Sequence, residues 1–235
     1  MKFINVWAIL LISIAISVNA DITKFVAPGS GDRNLIEAVE SGSRAAVISA
    51  LVRGEDIEQT DPYGHTPLVV ALNAGHVHLA RLLVEKGANI NYVDHDGYTP
   101  LMWATHKGHT KEVEMLLDEG ANIHVQNKDG FNCLMMAAQE GRLEIARMLL
   151  NKDAHRIQHH GPRRHKEPTT DHGDTALSIA QREATHQHQY NKKHQEIADL
   201  ILEYHKLHDD HVNKQKEEEV HLQEHGVPNH RMDDL

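Results

Sequence analysis

Histidine carries most of the reactive potential of this chain, and its placement is uneven. Fourteen of the 21 histidines lie beyond residue 150. His205, His208 and His211 recur at i, i+3, and His221 and His225 at i, i+4, so a helix would set each group on one face. Neutral imidazoles at that spacing can hold Zn²⁺, Cu²⁺ or Ni²⁺, with Asp209 or Asp210 supplying an oxygen. The same groups become cationic on acidification, which opens a second use as a pH-responsive surface. The segment is a polar tail with little apolar content to fix ligands, so no metal is assigned and His205, His208 and His211 stand only as candidates.

Catalytic constellations are missing. The chain has no Gly-x-Ser-x-Gly elbow, no Walker loop, no His-Glu-x-x-His and no cysteine pair for zinc, so no catalytic residue is assigned and no cofactor is expected. The single cysteine, Cys133, excludes an intramolecular disulfide and reads as a small buried side chain. With 34 acidic and 24 basic residues the formal charge is −10, and nucleic-acid binding, which needs a cationic surface, is not expected.

The elements that must position any site follow from a 33-residue period. Gly64, Gly97 and Gly130 lie in matching surroundings: DPYGHTPLVVALNAGHVHLARLLVEKGANIN (61–91), DHDGYTPLMWATHKGHTKEVEMLLDEGANIH (94–124) and NKDGFNCLMMAAQEGRLEIARMLLNKDAHRI (127–157). In the first copy Gly64 supplies the positive φ of a turn, Thr66 caps a helix and Pro67 starts it. Leu68, Ala71 and Leu72 form the apolar stripe of that short helix. Leu79, Leu82 and Leu83 form the stripe of a second one, closed by Gly87. Helices this short are marginal alone and must stack on their neighbours.

The register continues upstream from Gly31, where Asn34–Gly42 repeats the helix pattern with polar outward positions, as expected of an N-terminal cap. Downstream it continues at Gly173-Asp174-Thr175-Ala176-Leu177, displaced by ten extra residues. The stretch His155–Asp171, with Pro162 and Pro168, reads as an extended loop. Residues 181–194 read as prolonging both helices of the last repeat.

The period and the Thr-Pro-Leu core resemble the ankyrin-repeat family. The resemblance implies an all-α solenoid of stacked helix-turn-helix units with β-hairpin fingers. Repeats are expected at about 31–60, 61–93, 94–126, 127–170 and 171–204, followed by a polar His-rich tail, 205–235. It also implies a non-catalytic protein-binding module whose contact positions flank the turn glycine and end the first helix. Those positions are Tyr63, His65, Asn73 and Ala74, then His95, Asp96, Tyr98, His106 and Lys107, then Lys128, Asp129, Phe131, Gln139 and Glu140. Tyr63, Tyr98 and Phe131 are the informative members, because aromatic residues are favoured anchors. Trp103 is expected to pack between repeats. Val69, Met102 and Met135 replace a histidine usual in that family, which predicts a weaker bond network between adjacent turns. The alternative to protein binding is a metal-binding or pH-responsive role for the C-terminal region.

Residues 1–20 read as a signal peptide. Met1-Lys2 is a short basic start, Ile4 to Val18 is apolar, and Val18-Asn19-Ala20 offers a cleavage site after Ala20, with 21–30 as a linker. The expectation is a secreted or periplasmic, monomeric protein with no stable membrane anchor after cleavage, binding a protein of unknown identity.

Overall fold

The computed structural model describes residues 34–160, 168–186 and 191–224, and the helices there arise from local signals in the sequence. The expected signal peptide, the linker, the start of the first repeat at Gly31 and the chain after Glu224 lie outside the described residues. The chain divides into two compact units, Met1–Asn89 and Ile90–Leu235.

The first unit holds α1 (Leu35–Glu40), α2 (Arg44–Val52), α3 (Pro67–Asn73) and α4 (Val77–Glu85). Asn34, Ser43 and Thr66 stand extended before α1, α2 and α3, and each side-chain oxygen accepts the N–H three residues on. Pro67 occupies the first position of α3. Packing of α1 on α2, α3 on α4 and α1 on α3 buries Leu35, Val39, Val47, Leu68, Leu72, Leu79 and Leu83 completely or nearly so. The polar outer surface expected of the first repeat is not uniform, because Ile48 and Val52, one turn apart on α2, are 37% and 65% exposed.

The second unit holds α5 (Pro100–Lys107), α6 (Thr110–Asp118), α7 (Cys133–Gln139), α8 (Leu143–His160), α9 (Ala176–His186) and α10 (Asn191–Glu224). First helices pack in the row α5, α7, α9, and second helices in the row α6, α8, α10. Leu101, Leu116, Met135, Ile145, Ile179, Ile197 and Ile201 form the core between the rows. Two readings of the chain need correction. Helix α8 continues through Ala154–His160, which were expected to be loop, because no proline or glycine interrupts the chain before Gly161. The expected tail from residue 205 is likewise helical as far as Glu224, in one element with the stripe Ile197, Ala198 and Ile201.

The fingers between helix pairs are turns, with no strand among the described residues. Each closes on one backbone bond: Asp61 N–H to the His65 carbonyl, Asp94 to Tyr98, Asn127 to Phe131 and Thr170 to Asp174, at 2.9 to 3.0 Å. Within the second unit, adjacent turns are joined by backbone bonds, Lys128 N–H to the Asp96 carbonyl at 3.1 Å and Asp171 N–H to the Asp129 carbonyl at 3.3 Å. Loss of the family histidine therefore leaves backbone links between these turns, and Val69, Met102 and Met135 are buried apolar fill instead.

Cys133 takes the first position of α7, where earlier copies have proline, and is 1% exposed. Burial pushes its thiol up to about 12, against the opposing bond from the Thr105 hydroxyl. The native protein is expected to leave a thiol-specific disulfide reagent unreacted at pH 8 and to consume one equivalent on unfolding. Prompt reaction of the native protein would contradict the placement.

Candidate functional site

Each finger is built on one side-chain acceptor at its first residue. Asp61, Asp94, Asn127 and Thr170 all turn an oxygen back onto the N–H groups of their own turn, which fixes the loop before the first helix begins. The side chains that follow are therefore carried on a rigid base.

In the first unit, Asp61 Oδ1 accepts the N–H groups of Tyr63 and His65 at 2.8 Å, and Oδ2 lies 2.9 Å from His65 Nδ1. His65 is thus engaged by its own turn as well as being a contact candidate. Tyr63 is 74% exposed and stacks on the His65 ring at 5.9 Å. Burial raises the Asp61 pKa, but the His65 and Tyr63 N–H groups and then the charge of the His65 ring outweigh it, leaving the carboxyl below its usual range. A depressed carboxyl stabilises the fold above the unfolded value and loses that contribution as pH falls through the folded one. The stability difference between the native chain and Asp61→Asn should accordingly shrink in denaturant titrations as pH is lowered below about 4. A constant difference would contradict this assignment.

In the second unit the acceptor does more. Asp94, 7% exposed, takes the N–H groups of Asp96 (2.9 Å) and Tyr98 (2.8 Å) on Oδ1, and the indole N–H of Trp103 at 2.8 Å on Oδ2. Trp103 was expected between repeats. It packs instead against its own finger, its ring 5.1 Å from Tyr98 at 33° and edge-on to His106 at 6.4 Å. His106 Nδ1 lies 3.4 Å from Glu140 Oε1, and Arg142 donates to the His106 carbonyl at 3.2 Å, covering the end of α5. Asp94, Tyr98, Trp103, His106 and Glu140 thus form one connected group spanning two successive repeats.

The other expected contact residues are placed as follows. His95, Asp96, Lys107, Lys128, Asp129 and Gln139 are exposed; Phe131 and Glu140 are half-buried. Phe131 is held by Asn127, whose Oδ1 accepts its N–H at 2.8 Å. The Gln139 carbonyl lies 3.2 Å from Nε2 of His194, a buried histidine. Asn73 is half-buried and Ala74 exposed.

Trp103 is the member that the sequence reading missed. The available signal was its position three residues before His106, which puts both on one helix face.

The histidine candidates are not assembled into a centre. His205 and His208 are half-buried on α10, His208 lying 4.0 Å from Asp209, and the His211 side chain is outside the described residues. Among the described residues no group of three or more His, Cys, Asp or Glu side chains is arranged to hold a metal ion, and no helix is long and apolar enough to cross a membrane.

A sequence model described as Ankyrin repeats (3 copies) matches residues 35–127 and 113–216. A search of curated proteins gave no match.

Proposed function

Since the chain belongs to the ankyrin-repeat family, whose members generally mediate protein–protein interaction, we propose that it is a non-catalytic module that binds a partner protein through its fingers and first helices. The observation that carries this reading is the Tyr98–Trp103 pair. Two aromatic rings in contact, fixed from beneath by a buried carboxylate, are already ordered before a partner arrives, and such anchors dominate interface energies. Asp96, Lys107, Lys128, Asp129 and Gln139 supply an exposed polar rim. Phe131 extends the same series in the next repeat, and Tyr63 is the corresponding exposed aromatic of the first unit.

Export from the cytoplasm belongs to the same proposal and rests on the Met1–Ala20 segment. Mass spectrometry of the protein recovered outside the cytoplasm should give an N-terminus at Asp21; recovery with Met1 intact would exclude cleavage.

The binding proposal is tested by affinity capture with the native chain, followed by titration of the captured protein against variants. Trp103→Ala should weaken binding by ~30-fold or more, the effect of losing a central aromatic anchor. Tyr63→Ala reports separately on the first unit. Unchanged affinity for both Trp103→Ala and Tyr98→Ala, with melting preserved, would exclude this face.

A further inference from the structure

We propose that the Tyr98–Trp103 pair, with the Glu140 carboxylate beside it, seats an arginine side chain of the partner; the inference rests on the protein-binding reading and gives it a chemistry. Trp103 commits its one N–H to Asp94. What it can offer a ligand is therefore ring surface and no donor, which disfavours a carboxylate, phosphate or carbonyl at this position.

Asp94 adds to the selection. Its Oδ1 takes two backbone N–H groups and its Oδ2 takes the indole, so a fixed negative charge sits against the ring, 7% exposed and spent on internal bonds. An aromatic face attracts cations through its quadrupole, and a planar guanidinium can also stack on it. Glu140 supplies the second half. Its side chain is 33% exposed, and the group beside it, His106 Nδ1 at 3.4 Å, carries charge only when protonated. A guanidinium lying on the rings could reach that carboxylate with its own N–H groups.

The nearby cations do not fill this role. Arg142 is directed to the end of α5, where it donates to the His106 carbonyl and lies against Gly108. Lys107 and Lys128 are exposed and oppose an incoming positive charge. The attraction is thus a short-range contact with ring and carboxylate rather than a long-range field.

The test uses the full chain carrying Trp7→Phe, so that Trp103 is the only indole. Three capped tripeptides, acetyl-Gly-Arg-Gly-amide and its Gln and Glu counterparts, are titrated while Trp103 emission is followed. The arginine peptide alone should give a saturable change, and Tyr98→Leu and Glu140→Gln should each weaken it by about fivefold. Circular dichroism establishes that both variants remain folded. Absence of a saturable change with arginine, an equal response to the glutamine or glutamate peptide, or indifference to both substitutions would overturn the proposal. Should a captured protein depend on Trp103 while the arginine peptide does not bind, this inference fails and the protein-binding reading stands. Binding of the peptide with no protein partner would instead sink that reading.

Discussion

Replacing Gly130 with alanine is expected to destabilise the second unit by about 3 kcal/mol, against about 1 kcal/mol for Gly120→Ala. Both glycines have positive φ, +79° and +87°. An L side chain pays about 1–2 kcal/mol for that conformation at either place. The difference lies in the surroundings. A Cβ at Gly120 meets nothing within 4 Å, whereas one at Gly130 would come within 2.8 Å of Thr170 Cα and 2.9 Å of the Asp171 nitrogen. That contact is with backbone, so it cannot be relieved by a rotamer change. Separating the two turns would also break the bond from Asp171 N–H to the Asp129 carbonyl. Gly97 faces Asn127 and Lys128 in the same way, at 2.9 Å, and its alanine variant should match Gly130→Ala. Denaturant midpoints of the three variants are the check; equal losses at Gly120 and Gly130 would mean that the turns are not in contact.

The second large effect is expected at Asp94. Alanine there removes the acceptor for two backbone N–H groups and the Trp103 indole, a loss of about 2–4 kcal/mol even after water recovers part of it. Asparagine should cost only about 1 kcal/mol, because one carbonyl oxygen on a side chain of this length already holds both turn N–H groups in the next finger, at Asn127. What asparagine would give up is the indole bond. In the Trp7→Phe background, Asp94→Asn should therefore shift Trp103 emission while barely moving the melting temperature. An unaltered emission spectrum would show that Asp94 does not hold the ring.

Much of this structure was legible in the sequence because its determinants are local. Thr66 and Thr99 cap as the Thr-Pro spacing requires, and the stripe Leu79, Leu82, Leu83 is buried as its period predicts. Reading failed where the deciding interaction was the absence of a signal or lay outside the linear pattern. The continuation of α8 to His160 was read as loop from prolines that lie further on, at 162 and 168. The bond between Asp94 and Trp103 spans nine residues through a turn, a separation that no helix or strand period picks out. His65 was placed as a contact residue, but the carboxylate four positions earlier also engages it. The finger strands were expected from the family, yet each turn carries only one closing bond among the described residues, too little for a ladder.

The central claim is that a partner protein binds on the fingers and first helices, and amide hydrogen exchange of the native chain with and without its captured partner tests it most directly. Slowed exchange confined to the finger and first-helix segments, with 94–107 and 127–140 protected in the second unit, is the predicted result. Protection on α6, α8 and α10, with those segments unchanged, would contradict it.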